Sequence, residues 1–272
     1  MIEVRNLYKS FKADTGKKGF FGAVKEPFFA VNDMSFTLEK GQVLSILGPN
    51  GCGKTTTLRM IAGMLEPSSG TAIVNNIDVR ADKHKVKSNI GYMTNNTSLY
   101  DRLTVIETIR FFAELNQIPV ETYKKRAEEL FSQLDMNDYL NKKIADLSTG
   151  MKQKTSIVRT LIHDPDVVIL DEPTTGVDIT GQSIIMDLVN AIKQQGKTII
   201  FSTHQLGEVK DIADKIVVMS KGKKLFDGTT SEYQAKKPSH SFNEIFTEIT
   251  SGTSNLREYF TETMIRFFCL EL

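Results

Sequence analysis

"VLSILGPNGCGKTTTLRMIAGML", residues 43–65, sets a short apolar strand, a glycine-rich turn and a helical stretch in direct succession. The turn, "GPNGCGKTT", fits the spacing G-x-x-x-x-G-K-[ST]. Glycines at such a turn let backbone amides point inward and wrap a polyphosphate, because no side chain blocks the approach. The helix that follows adds its own free amides and the positive end of its dipole. Gly48, Pro49, Asn50, Gly51, Cys52, Gly53, Lys54, Thr55 and Thr56 are therefore read as the phosphate site. Lys54 is expected to reach the terminal phosphates, and the Thr55 hydroxyl to hold magnesium. Cys52 is either a small residue that fits the turn or a thiol whose pKa the helix start lowers.

Outward from this loop, short apolar strands alternate with helical patterns, as in an α/β sheet. Strands are expected at Ile2–Leu7, Val31–Leu38, Val43–Leu47, Thr71–Val74, Asn89–Met93, Val167–Leu170, Thr198–Phe201 and Ile216–Ser220. The first two, and a hairpin turning at Gly222, read as antiparallel. The strands at 43, 167 and 198 each feed a helix or a functional loop, as parallel strands do. Between Leu99 and Leu147 the strand pattern stops. Thr104 and Glu107 make a capping box, Val105, Ile109, Phe112 and Ala113 share a helical face, and Pro119 separates a second helix with the stripe Tyr123, Ala127, Leu130, Leu134. Residues 12–29, rich in Lys and Gly, read as a long loop ending in a hairpin tip. After Ser231, a capping box at Ser241 and Glu244 opens a stripe of Phe242, Ile245, Phe246 and Ile249, which either covers the core or meets a second copy.

Bulk composition narrows the class. The 272 residues carry 34 basic and 33 acidic side chains, a net charge of +1, which leaves no broad field for nucleic acid. Two cysteines make no disulfide framework, and neither a membrane-length apolar run nor a signal-peptide core is visible. The expected location is cytoplasmic.

Two further stretches complete a chemistry. "VVILDEPTTGVD", residues 167–178, delivers Asp171 at the carboxyl end of a buried strand, where sheets of this class bind ligands. Asp171 is expected to orient magnesium through its water shell, and Glu172 to polarise an attacking water. "TIIFSTHQ" ends the next strand at His204, whose imidazole can donate to a γ-phosphate oxygen.

The order of these pieces closely resembles that of the ATP-binding subunits of ABC transporters. The resemblance runs from residue 1 to about 230 and rests on five segments: "GPNGCGKTT", "LSTGMKQ", "VVILDEP", "TGVD" and "STH". It implies a P-loop NTPase core with a mixed sheet and an antiparallel β edge (residues 1–98 and 148–230), an all-helical inserted subdomain (99–147) and a helical C-terminal appendage (231–272). It implies ATP and Mg2+ as cofactors and a homodimer in which Ser148 and Gly150 of one subunit contact the γ-phosphate held by the other, with Asp178 bridging the two sites. It places Phe11 under the adenine, with Tyr8 as fallback, and adds an integral-membrane permease, with the chain peripheral on the cytoplasmic face. No nucleic-acid partner is implied.

The chain departs from the family pattern at Asn95, where a glutamine metal ligand is usual. Its side chain is one methylene shorter, so the loop must shift inward, a water must bridge or the coupling to magnesium must be weaker, and slow hydrolysis is expected. The Ser-Thr-Gly-Met signature, "DEPTTGVD" and "TVIETIRFFAELNQIP" look like the sodium-exporter and drug-exporter branch, whose ATP-binding subunit is separate from its permease. A soluble assembly factor or a non-hydrolysing nucleotide sensor would share these motifs, although the intact Glu172 and His204 argue against the sensor.

Overall fold

The computed structural model describes residues 1–12, 18–19, 22–23, 27–94, 99–236 and 240–251. A six-stranded sheet holds β5 (Val43–Leu47), β8 (Ile90–Met93), β9 (Val167–Asp171), β10 (Thr198–Thr203), β11 (Lys215–Ser220) and β12 (Lys223–Thr229). Its order is β12-β11-β5-β10-β9-β8. All neighbours run parallel except β12, which pairs antiparallel at the edge. β5 is buried along its whole length because both faces of the sheet are covered. Val43 and Leu47 enter one core, and Leu44 and Ile46 the other.

The first core packs under α3 (Val105–Leu115), α4 (Val120–Gln133), α5 (Thr149–Leu161) and α6 (Ile179–Gln194). The second lies against α1 (Lys54–Ile61), α2 (Lys83–Ser88) and a four-stranded antiparallel sheet. That sheet is ordered β4-β1-β6-β7, from β1 (Ile2–Lys12), β4 (Pro27–Leu38), β6 (Ser69–Val74) and β7 (Ile77–Asp78). A short ribbon, β2 (Lys18–Gly19) with β3 (Gly22–Ala23), stands between β1 and β4 in the chain.

Local signals explain most boundaries. The Thr104 amide donates to Glu107 Oε2 at 2.8 Å while the Glu107 amide donates to Thr104 Oγ1 at 3.2 Å, so α3 starts on the expected capping box. Pro119 is the N-cap of α4. At the other end of the chain, the Ser241 amide donates to Glu244 Oε2 at 2.6 Å and opens α8 (Phe242–Ser251). Ile245 is buried in the helical-side core, with Phe242, Phe246 and Ile249 against it, so this helix covers the core. It follows a shorter α7 (Thr230–Ala235). Residues 252–272, including Cys269, lie outside the described residues.

One expectation changes. Residues 12–29 are not simply a loop beyond short strands: β1 continues to Lys12 and β4 begins at Pro27, with Phe11 paired to Phe28. Register shifts between Val4, Leu7, Lys9 and Ser10 break the alternation that marks a strand in sequence. The remainder, residues 13–17, 20–21 and 24–26, lies outside the described residues. No helix among the described residues is long and apolar enough to cross a membrane.

Candidate functional site

The loop after β5 is built by close backbone packing. A Cβ on Gly48 would lie 2.5 Å from the Met219 carbonyl oxygen, and one on Gly53, at φ +110°, would lie 2.2 Å from the Ala30 carbonyl oxygen. Any side chain at either position would drive the loop off the neighbouring strands. Behind the loop, the Gly222 amide donates to the Cys52 carbonyl at 2.9 Å. Lys54 opens α1 with its amine buried. It donates to the Gly48 carbonyl at 2.8 Å and lies 3.3 Å from Glu172 Oε1. A phosphate oxygen entering here would meet a cation already held in place, which cuts the cost of ordering it.

An open cavity of about 410 Å³ surrounds this amine. Its walls are Phe11, Phe28 and Ala30 from the antiparallel sheet, Asn50, Gly51, Gly53, Lys54, Thr55 and Thr56 from the loop and α1, and Glu172 from the end of β9. Phe11 and Phe28 are 44% and 55% exposed, and Tyr8 does not line the space. Gly48, Pro49 and Cys52 do not line it either. The carbonyls of the first two face the Lys54 amine. Cys52 is buried, and burial pushes its thiol pKa up against the opposing pull of the Lys54 cation. The lowered pKa considered from sequence is thus overturned, and the small fitting residue stands.

β10 lies between β5 and β9, with Thr203 opposite Leu47 and Ser202 opposite Asp171, so the three strand ends are level. Ser202 Oγ donates to Asp171 Oδ1 at 2.7 Å. Asp171 is 1% exposed, and its Oδ2 has no hydrogen-bond partner. A buried orphan carboxylate oxygen is costly, and a hydrated divalent cation is a group that relieves it. Among the described residues no three His, Cys, Asp or Glu side chains cluster as a metal site. A cation beside Asp171 would therefore take its remaining oxygens from the Thr55 hydroxyl, water and phosphate, a donor set that suits magnesium. Asn95, the third expected ligand, lies outside the described residues.

Glu172 faces the same cavity from a left-handed backbone, φ +53°. Its Oε2 accepts from Thr175 Oγ1 at 3.1 Å and lies 3.7 Å from His204 Nδ1. Lys54, Glu172 and His204 are thus brought together as the sequence predicts. Sequence reasoning missed Phe28, Gln153, Thr175 and Ser202, whose amides, hydroxyls and ring act through register and packing. Gln153, Thr175 and Ser202 had a visible signal, since they fall inside "LSTGMKQ", "TGVD" and "STH", whereas Phe28 had none.

Ser148, Gly150 and Asp178 lie elsewhere. Ser148 caps α5 and accepts from the Met151 amide at 3.3 Å, while Asp178 caps α6 and accepts from the Gly181 amide at 2.7 Å. The two caps adjoin: a Cβ on Gly176 would lie 2.9 Å from Thr149 Cγ2, and one on Gly150 would lie 3.7 Å from Val177 Cγ1. None of the three residues lines the Lys54 cavity. Ser148 and Asp178 are solvent-exposed, and Ile179 beside them is 86% exposed. The chain therefore carries a phosphate-loop cavity and a separate exposed pair of helix starts.

Comparison with known proteins agrees with this architecture. The family model described as ABC transporter matches residues 31–175. The ABC transporter ATP-binding protein NatA of Bacillus subtilis (strain 168) is 41% identical over 218 residues, 80% of this chain and 89% of that protein. Among solved structures, an ATP-binding subunit of an ABC transporter aligns with a TM-score of 0.79 at 25% identity, covering 92% of this chain and 99% of that one. The protein cbiO1 from Clostridium perfringens, part of the ABC transporter complex cbiONQ, aligns with a TM-score of 0.71 at 28% identity, covering 86% and 90%.

Proposed function

The chain belongs to the ABC transporter family as an ATP-binding ATPase subunit, and from that premise we propose how its residues divide the work. Two copies close around two ATP molecules. Each nucleotide is held by Gly48–Thr56 of one copy and by Ser148 and Gly150 of the other, with Asp178 bridging between the sites. The observation that carries this reading is the separation just described: the Ser148 helix start is exposed and lies off the cavity of its own Lys54. A lone serine N-cap with free amides is a weak anion site. Opposite a triphosphate bound by another copy, the same groups make the nucleotide part of the interface.

Within each site, Phe11 stacks on the base, and Lys54 binds the terminal phosphates. Thr55 and Asp171 hold magnesium, which neutralises phosphate charge when bound, and Asn95 is its third protein ligand. Glu172 accepts the hydrogen bond of the attacking water and polarises it, and His204 donates to the γ-phosphate. The cleavage removes the phosphate that joins the two copies, so the dimer opens.

The division into a core of residues 1–98 and 148–230, a helical subdomain at 99–147 and an appendage at 231–272 belongs to the same reading. The helical part presents exposed Tyr100, Phe111 and Leu115, with the first two rings edge-to-face at 5.6 Å. An exposed apolar patch of this kind supports docking of a membrane permease at the cytoplasmic face. Export, of sodium or of a drug-like or lipid cargo, is supported by the resemblance of "DEPTTGVD" and "TVIETIRFFAELNQIP" to the exporter branch.

Glu172→Gln tests the assignment. It is expected to bind ATP, to lose turnover and to run as an ATP-dependent dimer in sedimentation. Normal turnover in that variant removes Glu172 from its role.

A further inference from the structure

Gln153 sits five residues after Ser148 on α5, but its side chain turns inward and the residue is only 3% exposed. Its amide nitrogen donates to the Glu172 carbonyl at 3.2 Å and to the Pro173 carbonyl at 2.8 Å. Both neighbours are acceptors, which fixes the nitrogen as the atom that faces them.

The turn they belong to needs holding. Glu172 adopts φ +53°, a region that residues other than glycine keep only where their surroundings impose it. Its amide is pinned by Ser202, to the carbonyl at 3.1 Å and to Oγ at 3.1 Å. Its carbonyl is pinned by Gln153 and by the Thr175 amide at 3.3 Å. In this backbone conformation the carboxylate lies 3.3 Å from Lys54 Nζ and 3.7 Å from His204 Nδ1. A change of φ re-aims the Cα–Cβ bond, and with it the carboxylate. Gln153 does not line that cavity, so it acts through Glu172 and not on the nucleotide.

We propose that Gln153 is a positioning residue for hydrolysis, whose buried amide locks the strained turn at Glu172–Pro173 so that the carboxylate meets the water. The inference rests on the reading of Glu172 given above. It also places the aiming group on the helix that begins at Ser148, so one rigid element serves both.

The test is steady-state kinetics of Gln153→Met, which keeps the side-chain length and volume and removes both donors. The turn is expected to relax, lowering kcat by about 10- to 100-fold, the usual cost of a misplacement near 1 Å, with KM for ATP nearly unchanged. Because the effect runs through Glu172, adding Gln153→Met to Glu172→Gln is expected to cause no further loss of the residual rate. Thermal melting and its shift with ATP verify folding. Gln153→Asn, whose amide stops a methylene short of both carbonyls, gives the same reading if the methionine variant does not fold. A folded variant with normal kcat, a loss confined to KM, or a further loss on top of Glu172→Gln overturns the proposal. Normal turnover in Glu172→Gln alone instead overturns the assignment beneath it.

Discussion

Phe28 leaves more than half of its surface in solvent, opposite a somewhat less exposed Phe11 on the neighbouring strand. Both rings border the space around Lys54, which in the proposed reading takes only the phosphate end of a nucleotide. A planar base is the group that covers such rings at least cost, and an aromatic contact contributes about 0.5–1.5 kcal/mol. Phe28→Ala is accordingly expected to raise KM for ATP by roughly 2- to 10-fold. Binding of inorganic tripolyphosphate, measured by calorimetry, should not change. An unaltered KM would show that Phe28 makes no contact with the base. At this scale the sequence was most informative where chemistry demands fixed spacing: Asn50, Gly51 and Gly53 to Thr56 line the same cavity as Glu172, and His204 lies 3.7 Å from Glu172. Phe28 escaped because its role depends on a cross-strand register with irregular shifts. Cys52 was read in two ways because a helix start and burial push a thiol in opposite directions, and burial wins.

Among the elements, α8 bears most on how the C-terminal appendage is held. Its capping box fixes the start, Ile245 enters the helical-side core, and the Phe242 ring lies 4.7 Å from that of Tyr233. Such a helix is part of the folded unit and not an ornament on it. Ile245→Ala is expected to destabilise the protein by about 2–5 kcal/mol, the cost of deleting a well-packed core side chain. The denaturation midpoint of the variant reads this directly, and a loss below about 0.5 kcal/mol, the surface range, would mean that α8 is loosely attached. Capping boxes made α3 and α8 legible in sequence because side chain and backbone satisfy each other locally. β7 was missed although its signal existed. Asn75 and Asn76 both take positive φ, 49° and 63°, as a tight two-residue hairpin requires. The true extents of β1 and β4 were not legible, since pairing across a hairpin, and not alternation, defines them there.

Over the whole molecule, the fold puts the phosphate loop and the exposed starts of α5 and α6 on different surfaces. Lys54 and Glu172 line one cavity, with His204 3.7 Å from Glu172 and Asp171 just before it at the end of β9, while the caps of α5 and α6 place Ser148 and Asp178 on exposed surface away from it. A near-neutral chain with a net charge of +1 offers no long-range field to draw a second copy in, so the interface must come from shape, exposed groups such as Ile179, and the nucleotide itself. The α/β architecture was legible because buried parallel strands read as apolar runs. The spatial separation of the two motifs was implied by the family resemblance alone and not by pattern or spacing, because it is a property of packing between α5, α6 and the sheet. The central claim is that each catalytic centre is shared between copies, and mixing two inactive variants tests it most directly. Lys54→Ala and Ser148→Arg are each expected to be inactive alone. In an equal mixture half of the dimers are mixed, and each of these holds one site with both lesions and one with none. Phosphate release should therefore recover to roughly a quarter of the unmodified rate. A mixture no more active than its two components would contradict the account.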